Sequence, residues 1–413
     1  MEETAKKPKL DNEISVEFTD TKKIPDVVWQ QIFGFFSLKE IKLTVARVCR
    51  HFYEISNDCV QEIKLNMNTI ASDKKYEMYD ALPTFKYLKT IKINSFDVHE
   101  LNIEYFVMHA LRNCPRLREL HFKVFDLSVG FINQIVKHGQ KLNGLELDFG
   151  KTRALGILSA LKTGMKKLNR IKLFYMKSIH YATEELISLV ASCEELNSLS
   201  LHKCEVADDT ISKLIKLKKD RLKECYIFQN GNGDEWLQQL VSCPKLQHLN
   251  LTGNITKSGF EKISKLENLE SLHLDLSHFN DLGAVANDVI KIFVNGKFKK
   301  LKALYIVGIK DSIDPILMCV TLACPNLQFF ECECVNDKRN YFSINIIKAL
   351  FDNLTELKKI KFEWNDLSDR YLMGSNNPIF VRSELEEIFG IHKNKFKVEI
   401  SAFDCWFRIT REM

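Results

Sequence analysis

Leu246-Gln247-His248-Leu249-Asn250-Leu251 is the stretch whose reading decides the fold. Successive side chains of a strand point to opposite faces, so Leu249 and Leu251 face one way while His248 and Asn250 face the other. The same Leu-x-x-Leu-x-Leu pattern, with aliphatic or aromatic substitutes, begins at Val60, Leu88, Leu117, Leu142, Leu168, Leu196, Leu222, Leu246, Leu269, Leu301, Leu327 and Leu357. These twelve starts are separated by 23 to 32 residues. Between them lie amphipathic stretches such as Glu184 to Val190, where Leu186, Leu189 and Val190 fall at helical spacing. Each unit is one strand plus one helix and cannot bury its own apolar face, so the units must stack. At ~4.8 Å per strand, the stack gives a concave parallel sheet on the order of 50 Å along its arc, a size that suits a protein ligand.

The period and the strand pattern resemble the leucine-rich repeats. Eight residues after each first leucine the family pattern wants Asn or Cys, to satisfy backbone groups where the strand turns into the loop. Asn68, Cys204, Asn230, Asn254 and Asn365 stand there, with Ser277 as a substitute. Phe96, Phe125, Gly150, Met176, Ile309 and Val335 occupy the other six, whose turns must close by packing or by different hydrogen bonds. Four strands are introduced by Cys114-Pro-Arg-Leu, Cys193-Glu-Glu-Leu, Cys243-Pro-Lys-Leu and Cys324-Pro-Asn-Leu, which resembles the cysteine-containing subclass of these repeats. Here a proline is expected to stop the preceding helix and a cysteine to be a small buried residue at its end. A zinc reading of Cys324, Cys332 and Cys334 lacks paired Cys-x-x-Cys spacing, and Cys332 falls on an inward strand position, so no metal is expected.

A chain of 413 residues is past the ~250 to 300 at which one hydrophobic core stops growing, which excludes a single compact globule. A formal charge of +5 is too dilute to demand nucleic acid or an acidic lipid surface. The polar start Met1-Glu-Glu-Thr-Ala-Lys-Lys-Pro-Lys lacks a signal-peptide core, and no stretch approaches 18 apolar residues, so neither secretion nor a membrane span is expected. The twelve cysteines then read as reduced thiols. Cytoplasmic or nuclear residence, or both, follows; Lys6-Lys7-Pro8-Lys9 reads either as a weak import signal or as a solvated tail.

Residues 22–59 break the period and read as three short helices after a disordered polar tail, 1–21. Ile24-Pro25-Asp26 opens the first, Ser37-Leu38-Lys39-Glu40 matches a capping box, and Val45 to Ile55 forms the third. The first carries two apolar rows, Val28-Ile32-Phe35 and Trp29-Phe33-Phe36, wider than the ~100° stripe a surface helix buries. Either a partner or the first repeat must cover the excess. Ile24 to Glu40, followed by Val48-Cys49-Arg50-His51-Phe52, resembles an F-box over about forty residues. It departs in Ile24 for the commoner Leu, Val27 for Glu and Phe52 for Trp, all keeping or adding apolar character.

An F-box followed by such repeats is similar to the F-box and leucine-rich-repeat family. The resemblance implies a substrate-recognition subunit of an SCF-type ubiquitin ligase, feeding proteasomal degradation through a Skp-family adaptor and a cullin/RING scaffold. By motif position it nominates Ile24, Pro25, Ile32, Phe33, Leu38, Val48, Cys49 and Phe52 for adaptor docking or for supporting that surface. The expected organisation is therefore a small all-α F-box at 22–59, an α/β solenoid of about twelve repeats at 60–390, and a strand-like C-terminal cap at 391–413, where Phe396 to Phe407 alternates apolar and polar.

Residues flanking the inward leucines face the concave side. Toward the first repeats these are Lys64, Lys92, His121, Lys123, Arg170 and Lys172, interrupted by Glu146 and Asp148. Further along come Phe174, His202, Tyr226, Phe228, His248, His273, Tyr305 and Phe329, an aromatic and imidazole run suited to anchoring a protein substrate. The competing reading has loops or the C-terminal tail covering these rings as ordinary core. The histidines could make the grip pH-sensitive or serve as simple polar contacts. No phosphate-cradling glycine loop, HExxH helix or GxSxG elbow occurs, so neither catalysis nor a cofactor is expected. The alternatives to a ligase receptor are a binding scaffold and an adaptor-bound F-box protein that never meets a cullin. An RNA-binding solenoid is disfavoured by the balanced charge and the acids in the groove.

Overall fold

The computed structural model of the chain describes residues 60–66, 85–95, 101–124, 127–150, 154–177, 182–228, 233–253, 255–277, 282–309, 313–335, 344–365, 396–401 and 406–411, together with Phe52 and Ile55. Fourteen strands form one sheet. The first six are β1 (Glu62–Asn66), β2 (Thr90–Ser95), β3 (Glu119–Val124), β4 (Gly144–Asp148), β5 (Arg170–Phe174) and β6 (Ser198–His202). Then come β7 (Glu224–Phe228), β8 (His248–Thr252), β9 (Ser271–Asp275), β10 (Ala303–Ile309), β11 (Phe329–Val335) and β12 (Lys359–Asn365). Each begins two residues after one of the twelve expected leucine positions. A hairpin of β13 (Phe396–Ser401) and β14 (Trp406–Arg411) completes the sheet.

Helices separate the strands: α1 (Leu101–Asn113), α2 (Val129–His138), α3 (Ala154–Gly164), α4 (Thr183–Ser192) and α5 (Asp208–Lys218). They continue with α6 (Asp234–Val241), α7 (Lys257–Ile263), α8 (Leu282–Asn295), α9 (Asp314–Ala323) and α10 (Ile344–Asn353). The architecture is an α/β solenoid of leucine-rich-repeat type. No helix of the described residues is long and apolar enough to cross a membrane.

Strands β1 to β12 run parallel in sequence order, and the register places like positions side by side: Ile171 beside Leu199, Leu199 beside Cys225, Cys225 beside Leu249. These inward residues are buried, as are Leu173, Leu201, Ile227 and Leu251 one step along. A backbone motif locks the stack. The Asn169 carbonyl accepts from the amides of Asn197 (2.9 Å) and Ser198 (3.0 Å), and the same two-amide acceptance recurs at eleven successive steps, from Gln61 to Gln328. Polar backbone at the start of each strand is thus satisfied by the next unit.

The turn before each strand also repeats. Leu117, Leu196, Leu246 and Leu327 donate their amides to the carbonyls of Cys114, Cys193, Cys243 and Cys324 at 3.1 to 3.3 Å. Leu142, Leu168 and Leu301 make the same bond to Gly139, Met165 and Phe298, so the turn forms without proline. Proline suits the second turn position because its φ is already set. All four of these cysteines are buried, and desolvation pushes the thiols of Cys114 and Cys243 up to about 11. In the β7 unit the cysteine position holds Lys219, and the turn bond runs from the Leu222 amide to the Lys218 carbonyl at 2.9 Å. Lys218 is buried, and its ammonium donates to the carbonyls of Cys193 (2.8 Å) and Ala191 (3.4 Å), satisfying the C-terminal end of α4.

The loop position expected to hold Asn or Cys behaves unevenly. The Cys204 thiol donates to Leu173 O at 3.4 Å, as the repeat pattern requires. Ser277 instead binds Asp275 Oδ1 at 2.6 Å and closes only its own strand end. Met176 and Ile309 are buried and close their turns by packing. Asn68, Asn230, Asn254, Phe96 and Phe125 lie outside the described residues, as do the side chains of Val335 and Asn365. Cys332 points into the core; among the described residues no cluster of His, Cys, Asp or Glu could hold a metal ion.

At the C-terminal end the pairing changes sense. Strand β14 lies antiparallel to β12, with Ile409 beside Ile360 and fully buried, and β13 pairs antiparallel with β14 on the outside. The tail at 1–21 and the F-box-like stretch lie outside the described residues, including Ile24, Pro25, Ile32, Phe33, Leu38, Val48 and Cys49. Phe52 and Ile55 are described; both are helical and buried.

Gly308 has φ +89°, and a Cβ there would lie 2.6 Å from the Leu276 carbonyl carbon and collide with the Ser277 amide. Gly130, in the first turn of α2, would meet only Ser128 Oγ, at 3.9 Å. Gly308→Ala is therefore expected to lower stability by about 1–3 kcal/mol, and Gly130→Ala to raise it by about 0.5–1 kcal/mol, as read by chemical denaturation.

Candidate functional site

Three columns of side chains run across the concave face, set by the strand register. The middle column places Lys64, Lys92, His121, Glu146, Lys172, Ser200, Tyr226, Asn250, His273, Tyr305, Glu331 and Lys361 beside one another, one per strand. Each strand adds one residue before it and one after. A concavity of about 670 Å³ opens over β3 to β9.

Charges toward the first repeats form a paired ladder. Lys92 meets Glu62 at 2.7 Å; His121 Nδ1 meets Glu146 at 2.7 Å, and its Nε2 meets Glu119 at 3.3 Å. Arg170 bridges Glu119 and Glu224 at 3.6 Å each, and Ser198 donates to Glu224 at 2.7 Å. The basic tendency read from the sequence is thus largely neutralised by Glu62, Glu119 and Glu224, which the sequence reading passed over.

The electrostatics follow from the pairing. Burial opposes ionisation of Glu146, but the His121 hydrogen bond and the Lys172, His121 and Lys123 charges outweigh it and hold the carboxyl low. His121 likewise resists burial, and the hydrogen bonds and charges of Glu119 and Glu146 raise its pKa. The His121 hydrogen bond, against burial, lowers Glu119. Asp148 is raised by burial despite accepting the Gly150 amide at 2.9 Å.

At the centre the rings follow one another along the last column in tilted contact. Phe174 and His202 lie 5.0 Å apart between centroids, and His202 and Phe228 4.7 Å. Phe174 is not a solvent-facing anchor. It is only 9% exposed, with the ammonium groups of Lys172 and Lys123 set 4.8 and 5.8 Å from its centroid. Tyr226 and His273 also line the concavity. Tyr305 stacks on His273 at 5.7 Å but lies beyond the lining, and His248 and Phe329, both in the first column, do not line it either. Phe329 is exposed. Burial, with Lys203, Lys172 and Lys123 nearby, lowers the pKa of His202, and burial lowers that of His273 against Asp275 and Glu331.

Two residues at this centre escaped the sequence reading. Tyr175 and Lys203 directly follow β5 and β6 with φ +53° and +52°, at the position where the β8 and β10 units carry Gly253 and Gly308. The Tyr175 amide donates to His202 O at 2.9 Å, and Lys203 Nζ lies 5.7 Å from the Tyr175 ring and 5.2 Å from Phe228. Only Gly253 and Gly308 of the twelve units hold glycine at this position, so the sequence carried no signal for a left-handed backbone at Tyr175 and Lys203.

Fold and site define a solenoid of leucine-rich-repeat type with a charged and aromatic inner surface. A chain of the yeast Rad7 and Elc1 complex is similar in fold, with a TM-score of 0.52 and 16% identity over 70% of this chain and 74% of that one. The leucine-rich-repeat-containing protein LegL7 from Legionella pneumophila matches at a TM-score of 0.42 and 14% identity, over 72% of this chain and 90% of that one. No protein-family model matches the chain.

The His121 cluster has a defined pH signature. With its pKa raised, His121 contributes stability in full below its ordinary 6.5 and loses it as pH rises through the folded value. Glu119 and Glu146, held low, contribute above 4.5 and lose it as pH falls through theirs. The cluster therefore contributes most between 4.5 and 6.5. His121→Gln is expected to cost more unfolding free energy near about pH 5.5 than near about pH 8.5; equal costs would mean that His121 is neutral throughout.

Proposed function

We propose that this chain is the substrate-recognition subunit of an SCF-type ubiquitin ligase. In this reading residues 22–59 dock a Skp-family adaptor through Ile24, Pro25, Ile32, Phe33, Leu38, Val48, Cys49 and Phe52, directly or by supporting the docking surface. The adaptor links to a cullin/RING scaffold, and the concave repeat surface holds a protein substrate. The subunit is non-catalytic and works in the cytoplasm, the nucleus or both.

The observation that carries the reading is the direct junction of an F-box-like sequence to a solenoid with an aromatic, charged inner face. No Gly/Ser or Pro-rich linker separates them: the F-box-like sequence runs up to 59, Val60 is already in the repeat core, and β1 begins at Glu62. A stiff junction would fix the distance from substrate to conjugating machinery and raise the effective concentration of a substrate lysine. The likeness to a chain from the Rad7 and Elc1 complex is consistent with a repeat protein that works bound to a partner, and it carries no more than that.

Co-purification from cells tests the reading. Adaptor with cullin is the expected result; adaptor alone would favour a cullin-free F-box protein, and salt-labile nucleic acid would favour an RNA-binding solenoid. Alanine at both Tyr226 and Tyr305 is expected to abolish substrate capture and spare the adaptor. A flexible insert of about 20 residues after Asp58 should impair substrate ubiquitination more than adaptor binding.

A further inference from the structure

The two ends of the groove bury their charges in opposite order. Over β4 and β5 the carboxylate is beneath and the ammonium on top: Glu146 is 10% exposed at the side chain, Lys172 40%. Over β11 and β12 the ammonium is beneath, Lys361 being 18% exposed while its partners Glu331 and Glu363 are 33% and 32%. The local charges have the same polarity. Beyond its burial, His202 is lowered by three lysines, whereas Glu333 is raised by burial and then by Glu363, Asp275 and Glu331 against Lys361.

Between the poles lie the tilted rings of Phe174, His202 and Phe228, and one cation beside them is held against backbone preference. The left-handed backbone at Lys203 is strained for a residue with a Cβ and unstrained for glycine. The repeat tolerates glycine there, as Gly253 and Gly308 demonstrate. What the lysine adds is an exposed ammonium over the rings of Phe228 and Tyr175.

We propose that the groove takes an extended, charge-polarised segment of a partner protein, with acidic side chains over β3 to β6, apolar side chains against the central rings, and basic side chains over β11 and β12. Six strand steps of ~4.8 Å separate β5 and β6 from β11 and β12, about 29 Å, which an extended chain covers in about nine residues at ~3.3 Å each. Only the claim that the bound partner becomes a ubiquitination substrate rests on the receptor reading. The carboxylate pole disfavours RNA, which is negative along its whole length.

Fluorescence anisotropy with the full chain, bound to its adaptor where the two co-purify, tests this. The probe is a synthetic peptide of about 16 residues with an Asp/Glu block, a Leu- and Phe-containing middle and a Lys/Arg block, centred about nine residues apart. A peptide of the same composition with its charges interspersed and a uridine oligonucleotide are the comparisons. The polarised peptide should bind on the order of tenfold more tightly than the interspersed one at low salt. Lys203→Gly should keep or raise Tm while weakening that peptide on the order of fivefold, and Glu333→Lys with Glu363→Lys should weaken it similarly. Equal affinity for the two peptides, no binding, tighter binding of the oligonucleotide, or unchanged affinity in both variants would overturn the proposal. Adaptor co-purification reports separately: a polarised preference without any adaptor sinks the receptor reading and supports this one, and the converse result does the reverse.

Discussion

One carbonyl at the start of each strand accepts two amides from the next unit, and that bond pair sets the register on which everything else in the solenoid depends. It is local to adjacent units, so stability here is a sum over neighbours rather than the property of one central core. It also fixes the strand spacing and brings like positions side by side. The inward leucines become a continuous apolar wall, and the residues between them become columns on the open face. A unit that changes its convex side, as the β7 unit does by burying Lys218 beside the turn, leaves the columns undisturbed because the ammonium is satisfied by carbonyls at the end of α4.

The charge layering on the concave face follows from the same register. Glu146 sits in the middle column between His121 and Lys172, so it is solvated by protein on both sides and tolerates burial as an anion. Lys361 is flanked by Glu331 on β11 and by Glu363 two residues along its own strand, and it tolerates burial as a cation. In each case the more exposed partners carry the sign that a ligand meets. A nearly neutral inventory along the chain therefore coexists with a directional surface field.

The strands were legible because a period of two bounded by a repeated turn is a strong local signal, and each strand starts at the same offset from its leucine. The columns followed from that offset. Several features did not. The pairing of His121 with Glu146 and of Arg170 with Glu119 and Glu224 depends on register between units of unequal length. Phe174 is covered by Lys172 from its own strand and by Lys123 from β3, a relation that no single unit contains. The left-handed backbone of Tyr175 and Lys203 runs against the preferences of the residues themselves, and at Tyr175 it accompanies a bond across strands from its amide to His202 O.

The C-terminal hairpin ends the array on a strand that is not a repeat strand. Strand β14 runs against β12 and β13 against β14, so the outermost strand, β13, again runs in the direction of β1 to β12. A parallel edge offers evenly spaced donors and acceptors, whereas an antiparallel pair alternates narrow and wide spacings. The two poles of the sheet are therefore unlike, and head-to-tail growth of copies, the standing hazard of a sheet with an open side, would have to join a repeat strand to a hairpin strand.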